Sequence, residues 1–230
     1  MIRTLEPEWL DTLDANDARA KRARRELRLV NALMGNASFI AGALRGSIGD
    51  GAKIADLGAG DGTLMLRVAQ KLRPRPHGVT LALVDRIGRP LSEQTIAGFA
   101  ALDWHATHHA ADAATWLRAA PERYDAITAN LFLHHLDATA LRELLALLAK
   151  RSALFAACEP RRSALALTAS RALGAIGCGP VTRHDAALSV KAGFDARELS
   201  ELWPALPGWQ LQERRRGPFA HLFVARREHA

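Results

Sequence analysis

The sequence predicts an α/β protein built on a mostly parallel sheet of seven strands, with helices on both faces. Three observations carry this. From residue 53 onward, short apolar runs alternate with segments of helical periodicity, as in strands joined by crossover helices. The last two runs, 209–215 and 219–226, flank Gly217-Pro218 and read as an antiparallel hairpin. The composition, 49% hydrophobic and 24% charged over 230 residues, is that of an ordinary globular protein with chain enough for one large core.

The elements follow in order. The opening stretch MIRTLEPEWLDTLD is acidic and lacks the apolar core of a secretory signal. Asp17 is expected to cap a helix running to about Met34, with Gly35 as its stop signal. Residues 19–28 of that helix carry six positive charges opposite an apolar stripe of Ala23, Leu27, Val30 and Met34, which fits a solvated face or a lid that attracts anions. Strands are expected at 53–57, 79–84, 105–110, 124–129 and 152–158, with helices near 62–73, 91–100, 113–119 and 138–150. The last of these helices follows Asp137 as N-cap and spaces Leu141, Leu144, Leu145 and Leu148 along one face. The run HATHHA at 105–110 suits a surface loop almost as well as a strand. Residues 160–203 carry no strand pattern and are expected to form helices over one end of the sheet. No repeat or linker divides the chain, so one domain is expected in four parts: an N-terminal helical cap 1–48, a core 49–160, a helical cover 161–205 and the hairpin 206–230.

Several classes fall away. No apolar run reaches the roughly 20 residues of a membrane span. Cys158 and Cys178 have no partners at zinc-ligand spacing, so neither a metal site nor a disulfide scaffold is expected, and a reducing cytoplasm fits. The net charge of +7 invites a nucleic-acid reading, but the surplus sits mostly toward the C-terminus, and nucleic acid remains the lesser expectation.

The most informative segment is Asp56-Leu57-Gly58-Ala59-Gly60-Asp61-Gly62-Thr63, directly after a strand and before a helix. Its glycines permit a tight turn and a close ligand approach, and the helix that follows offers free N–H groups. The G-x-G-x-G spacing departs from the dinucleotide fingerprint, whose third glycine would stand at Thr63. This segment resembles the first motif of the class I, seven-β-strand, Rossmann-like S-adenosylmethionine-dependent methyltransferases of small-molecule type. The resemblance extends over residues 50–160. It includes Asp85 after VTLALV, Asp112 in AADAATWL with Trp116 nearby, YDAITAN followed by LFLHHL, and Cys158-Glu159-Pro160-Arg161.

That resemblance implies S-adenosyl-L-methionine as cofactor and a role for each of these residues. Asp56, Gly58, Ala59 and Gly60 would take the amino-acid end, with Asp56 on the ammonium. Asp85 and Arg86 would meet the ribose, Asp112 and Ala113 the adenine, and Asn130 and Leu131 the end of the fourth strand. The tetrapeptide from Asn130 is N-L-F-L rather than [DN]-P-P-[YF], no Pro-Cys pair is present, and no Asp-Asn pair follows the fourth strand. The leading expectation is therefore a small hydroxylated aromatic, polyketide-like or quinone-like acceptor methylated on oxygen, with nitrogen and carbon acceptors left open. A phenol with a pKa of about 10 needs a base at neutral pH. His135, with His134 as its alternative on the same turn, and His184 are the candidates. An RNA methyltransferase and a cofactor-binding module without catalysis are the competing expectations.

Overall fold

A computed structural model describes residues 1–14, 17–88 and 90–228; within these, the side chains of Asp11, Arg28, Asn31, Ala32 and Leu33 lie outside the description, and with them the charge expected at Arg28. In chain order the first half comprises α1 (Trp9–Thr12), α2 (Ala18–Met34), α3 (Asn36–Leu44), β1 (Lys53–Leu57), α4 (Thr63–Lys71), β2 (Val79–Asp85), α5 (Glu93–Ala100), β3 (Trp104–Ala110), α6 (Ala113–Ala119) and β4 (Tyr124–Asn130). A 3-10 turn (Leu133–His135) leads into α7 (Ala138–Arg151) and β5 (Ser152–Pro160). Then come α8 (Ala164–Ala172), α9 (Pro180–Ala192), α10 (Glu198–Leu202), β6 (Trp209–Arg216) and β7 (Ala220–Arg227).

The seven strands form one sheet in the order β3-β2-β1-β4-β5-β7-β6. β1 to β5 are parallel, while β7 runs antiparallel to both β5 and β6. The central strands are apolar on both sides because helices cover both faces: all of β5 except Ala153 is buried. One face packs Ile40, Leu44, Met65, Leu81, Phe99 and Trp104 beneath α3, α4 and α5. The other packs Leu117, Leu145, Phe155 and Phe223 beneath α6, α7 and α10. β3 is one of the two edge strands, paired with β2 from Trp104 opposite Val79 to Ala110 opposite Asp85. An edge position explains why HATHHA carries so little apolar patterning and still forms a strand.

The helical additions hold two differences from expectation. Gly35, at φ 71°, does turn the chain, but α3 follows at once and lays Ile40, Ala41 and Leu44 on the sheet. α2 keeps a solvated basic side, with Lys21 and Arg25 exposed, but part of its charge is paired. Arg19 pairs with Asp17 and Arg22 with Glu26, and Glu26 also accepts the Gly179 N–H and the Thr182 hydroxyl of the α9 region.

Residues 1–10 form a strap laid antiparallel along α9. Arg162 holds the Met1 carbonyl at 2.9 Å, Arg3 donates to the Ala192 carbonyl at 2.7 Å, and the Thr4 N–H to that of Lys191 at 3.3 Å. Glu8 accepts the Ser189 hydroxyl, and Asp185 accepts the N–H groups of Trp9 and Leu10, both at 2.9 Å.

Candidate active site

The parallel strands reverse their order between β1 and β4, and ligands of open α/β sheets bind beyond the strand carboxyl ends at such a switch point. A cavity of about 610 Å³ lies there. Gly58, Asp85, Arg86, Asp112, Ala113 and Leu131 line it from the sheet, and Leu5, Glu8, His134, His135 and Leu188 from the opposite side. Of the expected cofactor residues, Asp56, Ala59, Gly60 and Asn130 are not among its lining, although the turn and strand end that carry them are.

The glycine turn is built as the sequence required. Gly58, Gly60 and Gly62 have φ values of 69°, 57° and 72°, a region that side chains with a Cβ resist. A Cβ on Gly60 would meet nothing within 4 Å, so this backbone faces open space. A Cβ on Gly58 would come within 2.7 Å of the Phe132 ring. Asp85 ties the turn to its own loop, since its two oxygens accept the Gly60 N–H at 2.9 Å and the Ile87 N–H at 2.8 Å. Asp112 caps α6 by accepting the Thr115 N–H at 2.9 Å. Each carboxylate keeps further acceptor sites for a ligand hydroxyl or amine.

Asp56 sits behind the turn, 3% exposed, and accepts the Thr128 hydroxyl at 2.6 Å. Burial drives its pKa up to about 7, against the Thr128 hydrogen bond, and the neighbouring charge of Asp85 pushes the same way. At the end of β4 the Asn130 Oδ1 is buried with no hydrogen-bond partner among the described residues. Leu131 follows with φ 51°, held there by its N–H to the Cys158 carbonyl at 2.9 Å.

Glu159, wholly buried at the end of β5, organises the turn that carries the histidines. It accepts the N–H groups of Phe132 at 3.1 Å and Leu133 at 2.9 Å, and it bonds His134 Nδ1 at 2.8 Å. His134 is 2% exposed, and its Nε2 faces Glu8 across 3.9 Å. Burial disfavours its charged form, but Glu159 and Glu8 outweigh that and push its pKa up to about 9. Burial also disfavours the Glu8 carboxylate, and here His134, His135 and Ser189 outweigh it and hold Glu8 below its ordinary range. His135 is exposed toward the cavity, its ring centroid 4.1 Å from that of His134.

His184 is placed differently from the expectation that it would stand by the acceptor. Its ring stacks on Trp9 at 3.8 Å, Nδ1 bonds Asp185 at 2.9 Å, and it does not line the cavity. Asp185 does not cap α9, which starts at Gly179-Pro180; it caps α1, 175 residues away. The strap and Glu8 carry no local signal in the sequence, whereas Glu159 could have been found from its place at a strand end.

No protein-family model matches the chain, and neither does any curated protein. Solved structures do. The pyocyanin biosynthetic protein PhzM superposes with a TM-score of 0.60 at 20% identity, over 95% of this chain and 60% of its own. The mitomycin 7-O-methyltransferase MmcR gives 0.59 at 18% identity, over 95% and 60%. The plantazolicin methyltransferase BamL, solved with a triazolic desmethylPZN analog and S-adenosylhomocysteine, gives 0.60 at 11% identity, over 94% and 92%. This chain thus spans about 60% of the length of the first two. At such identities the likeness is one of fold, and together with the strand order it shows that the chain has the fold of the class I S-adenosylmethionine-dependent methyltransferases.

Proposed function

We propose that the protein transfers a methyl group from S-adenosyl-L-methionine to an oxygen of a small hydroxylated aromatic, polyketide-like or quinone-like acceptor. The observation that carries this is the gathering of Gly58, Asp85 and Asp112, from three consecutive strand ends, around one cavity whose other wall holds His135. The residues fit the cofactor. Open space over Gly60 admits a ligand to the backbone, and the orphaned Asn130 Oδ1 offers an acceptor for an ammonium group. Asp85 and Arg86 would meet the ribose, Asp112 and Ala113 the adenine, and Gly58, Ala59 and Leu131 the amino-acid end, with Asp56 behind them. The solved neighbours point the same way, since BamL was crystallised with S-adenosylhomocysteine and MmcR is described as an O-methyltransferase.

When bound, the cofactor supplies an electrophilic methyl group on a sulfonium. The chain's own task is alignment, which can supply roughly 7–11 kcal/mol, together with help in removing the acceptor's proton. His135 stands on the acceptor side for that purpose, and Leu5 and Pro7 of the strap with Leu188 of α9 supply apolar contact beside it. In this reading the cap and cover shape the acceptor pocket while the core holds the cofactor, and the free thiols Cys158 and Cys178 suit a reducing cytoplasm. Calorimetry with S-adenosylhomocysteine, followed by methyl transfer to a panel of phenols and hydroxyquinones, tests the proposal. Saturable binding and an O-methyl product support it. Absence of binding by the folded protein overturns it, as does a product methylated on nitrogen or on RNA.

A further inference from the structure

The acceptor side of the cavity holds a second chemical feature. Glu8, His134 and His135 each present one donor atom, and all three atoms lie within 4.8 Å of one another. The geometry points to a divalent transition-metal site formed by these three residues, which binds the acceptor's oxygen as an anion beside the cofactor pocket.

The donor set comes first. Two imidazole nitrogens and one carboxylate oxygen suit zinc, iron, cobalt or manganese in the divalent state, and three protein ligands leave coordination positions open for a substrate. Metal–nitrogen and metal–oxygen bonds of about 2.1 Å let two ligands stand up to about 4.2 Å apart. The 3.9 Å between His134 Nε2 and Glu8 Oε1 lies within that span and beyond hydrogen-bonding reach.

The second observation is independent of the three ligands. A metal-bound histidine characteristically gives its other ring nitrogen to a carboxylate, which fixes the tautomer and the ring orientation. His134 does this with Glu159 at 2.8 Å. Glu159 is itself immobilised by the N–H groups of Phe132 and Leu133 in a fully buried position. The consequence is that Nδ1 is committed to Glu159 and Nε2 is aimed at Glu8 and the cavity. Glu8 is likewise held by the Ser189 hydroxyl.

The cation gives the acceptor class a sharper definition, and that part rests on the methyltransferase reading above. An open coordination position in this cavity favours an acceptor whose hydroxyl ionises on binding, a phenol with or without a neighbouring oxygen. The hydroxyl proton passes to solvent, the oxygen is held as phenolate, and the O–CH3 bond forms as the C–S bond breaks to leave a neutral thioether. In this arrangement His135 assists deprotonation through the cation and does not take the proton itself.

The test reads metal binding directly. The full-length protein, stripped with chelator, is titrated with Co2+ and followed by visible absorption, then challenged with Zn2+. One saturable Co2+ site with visible bands that Zn2+ abolishes is expected. Glu8→Gln and His135→Asn should each weaken it by at least tenfold, while calorimetry shows S-adenosylhomocysteine bound as by the wild type in both variants. Glu159→Gln, which leaves the three ligands in place, should weaken Co2+ by roughly 10–100-fold. Absence of saturable Co2+ binding, or equal binding by wild type and both ligand variants, overturns the site. Methyl transfer that proceeds at full rate in excess chelator overturns the acceptor role. Because Co2+ binding is read without turnover, failure of the methyltransferase reading would leave that result intact.

Discussion

Asp56 offers the most quantitative test of the site's electrostatics. Its carboxyl is buried beneath the glycine turn, where it accepts the Thr128 hydroxyl, and its pKa rises from 3.8 to about 7. In the unfolded chain the group returns to the ordinary value. A raised folded pKa means that the group's contribution is fully present below the unfolded pKa and is lost as pH rises through the folded one. At 1.36 kcal/mol for each tenfold change in proton affinity, a rise from 3.8 to about 7 makes the loss about 4 kcal/mol. Asp56→Asn keeps an oxygen to accept the Thr128 hydroxyl and removes the titration. The stability of the variant relative to wild type should therefore increase by about 4 kcal/mol between about pH 4 and about pH 8. Urea unfolding of both proteins across that range, with free energies extrapolated to water, reads the difference directly. Two curves that stay parallel would show that Asp56 titrates normally and would refute the reasoning.

Five further outcomes follow from the geometry. Gly60→Val should abolish S-adenosylhomocysteine binding in calorimetry while the protein stays folded, because the new side chain enters the open space over the turn. Asp85→Ala should weaken that binding by roughly 1.5–3 kcal/mol, the scale of a charge-assisted hydrogen bond, with an added loss from freeing the Gly60 N–H. His135→Ala should lower turnover in steady-state kinetics; His184→Ala should instead lower the melting temperature, through the lost stack on Trp9, worth about 1 kcal/mol. Deleting residues 1–10 should leave cofactor binding in place and sharply reduce methyl transfer, since Leu5, Glu6, Pro7 and Glu8 leave the cavity wall.

The core of the fold was legible because its signals are local. Apolar runs at 53–57, 79–84 and 152–158 became buried strands, and Asp137 caps α7 through the N–H groups of Thr139 and Ala140. HATHHA was ambiguous for a physical reason: an edge strand buries one side at most, so its pattern is half erased. The glycine turn and the acids at the ends of β2 and β3 could be read for the same local reason. The acceptor side could not. Glu8 and Arg3 reach their partners across more than a hundred residues of chain, and nothing in MIRTLEPEWL marks a strap. His134 and His135 are neighbours of one type, and only the bond to Glu159 marks which is buried and which is exposed. Asp185 lies within α9, yet the N–H groups it accepts belong to α1, a pairing no local pattern announces.

The strap's position makes its docking and the occupancy of the cavity one coupled equilibrium. Residues 5–8 are wall on one side and held against α9 on the other, so a ligand that needs that wall binds only the docked form. By mass action, such a ligand at a hundred times its dissociation constant adds about 2.7 kcal/mol to docking. By reciprocity, a change that loosens the strap weakens the ligand to the same extent. Arg162, which grips Met1 with one edge of its guanidinium and Gly193 with the other, thus acts on the cavity without touching it. Proteolytic cleavage within the first ten residues becomes a gauge of what the cavity holds.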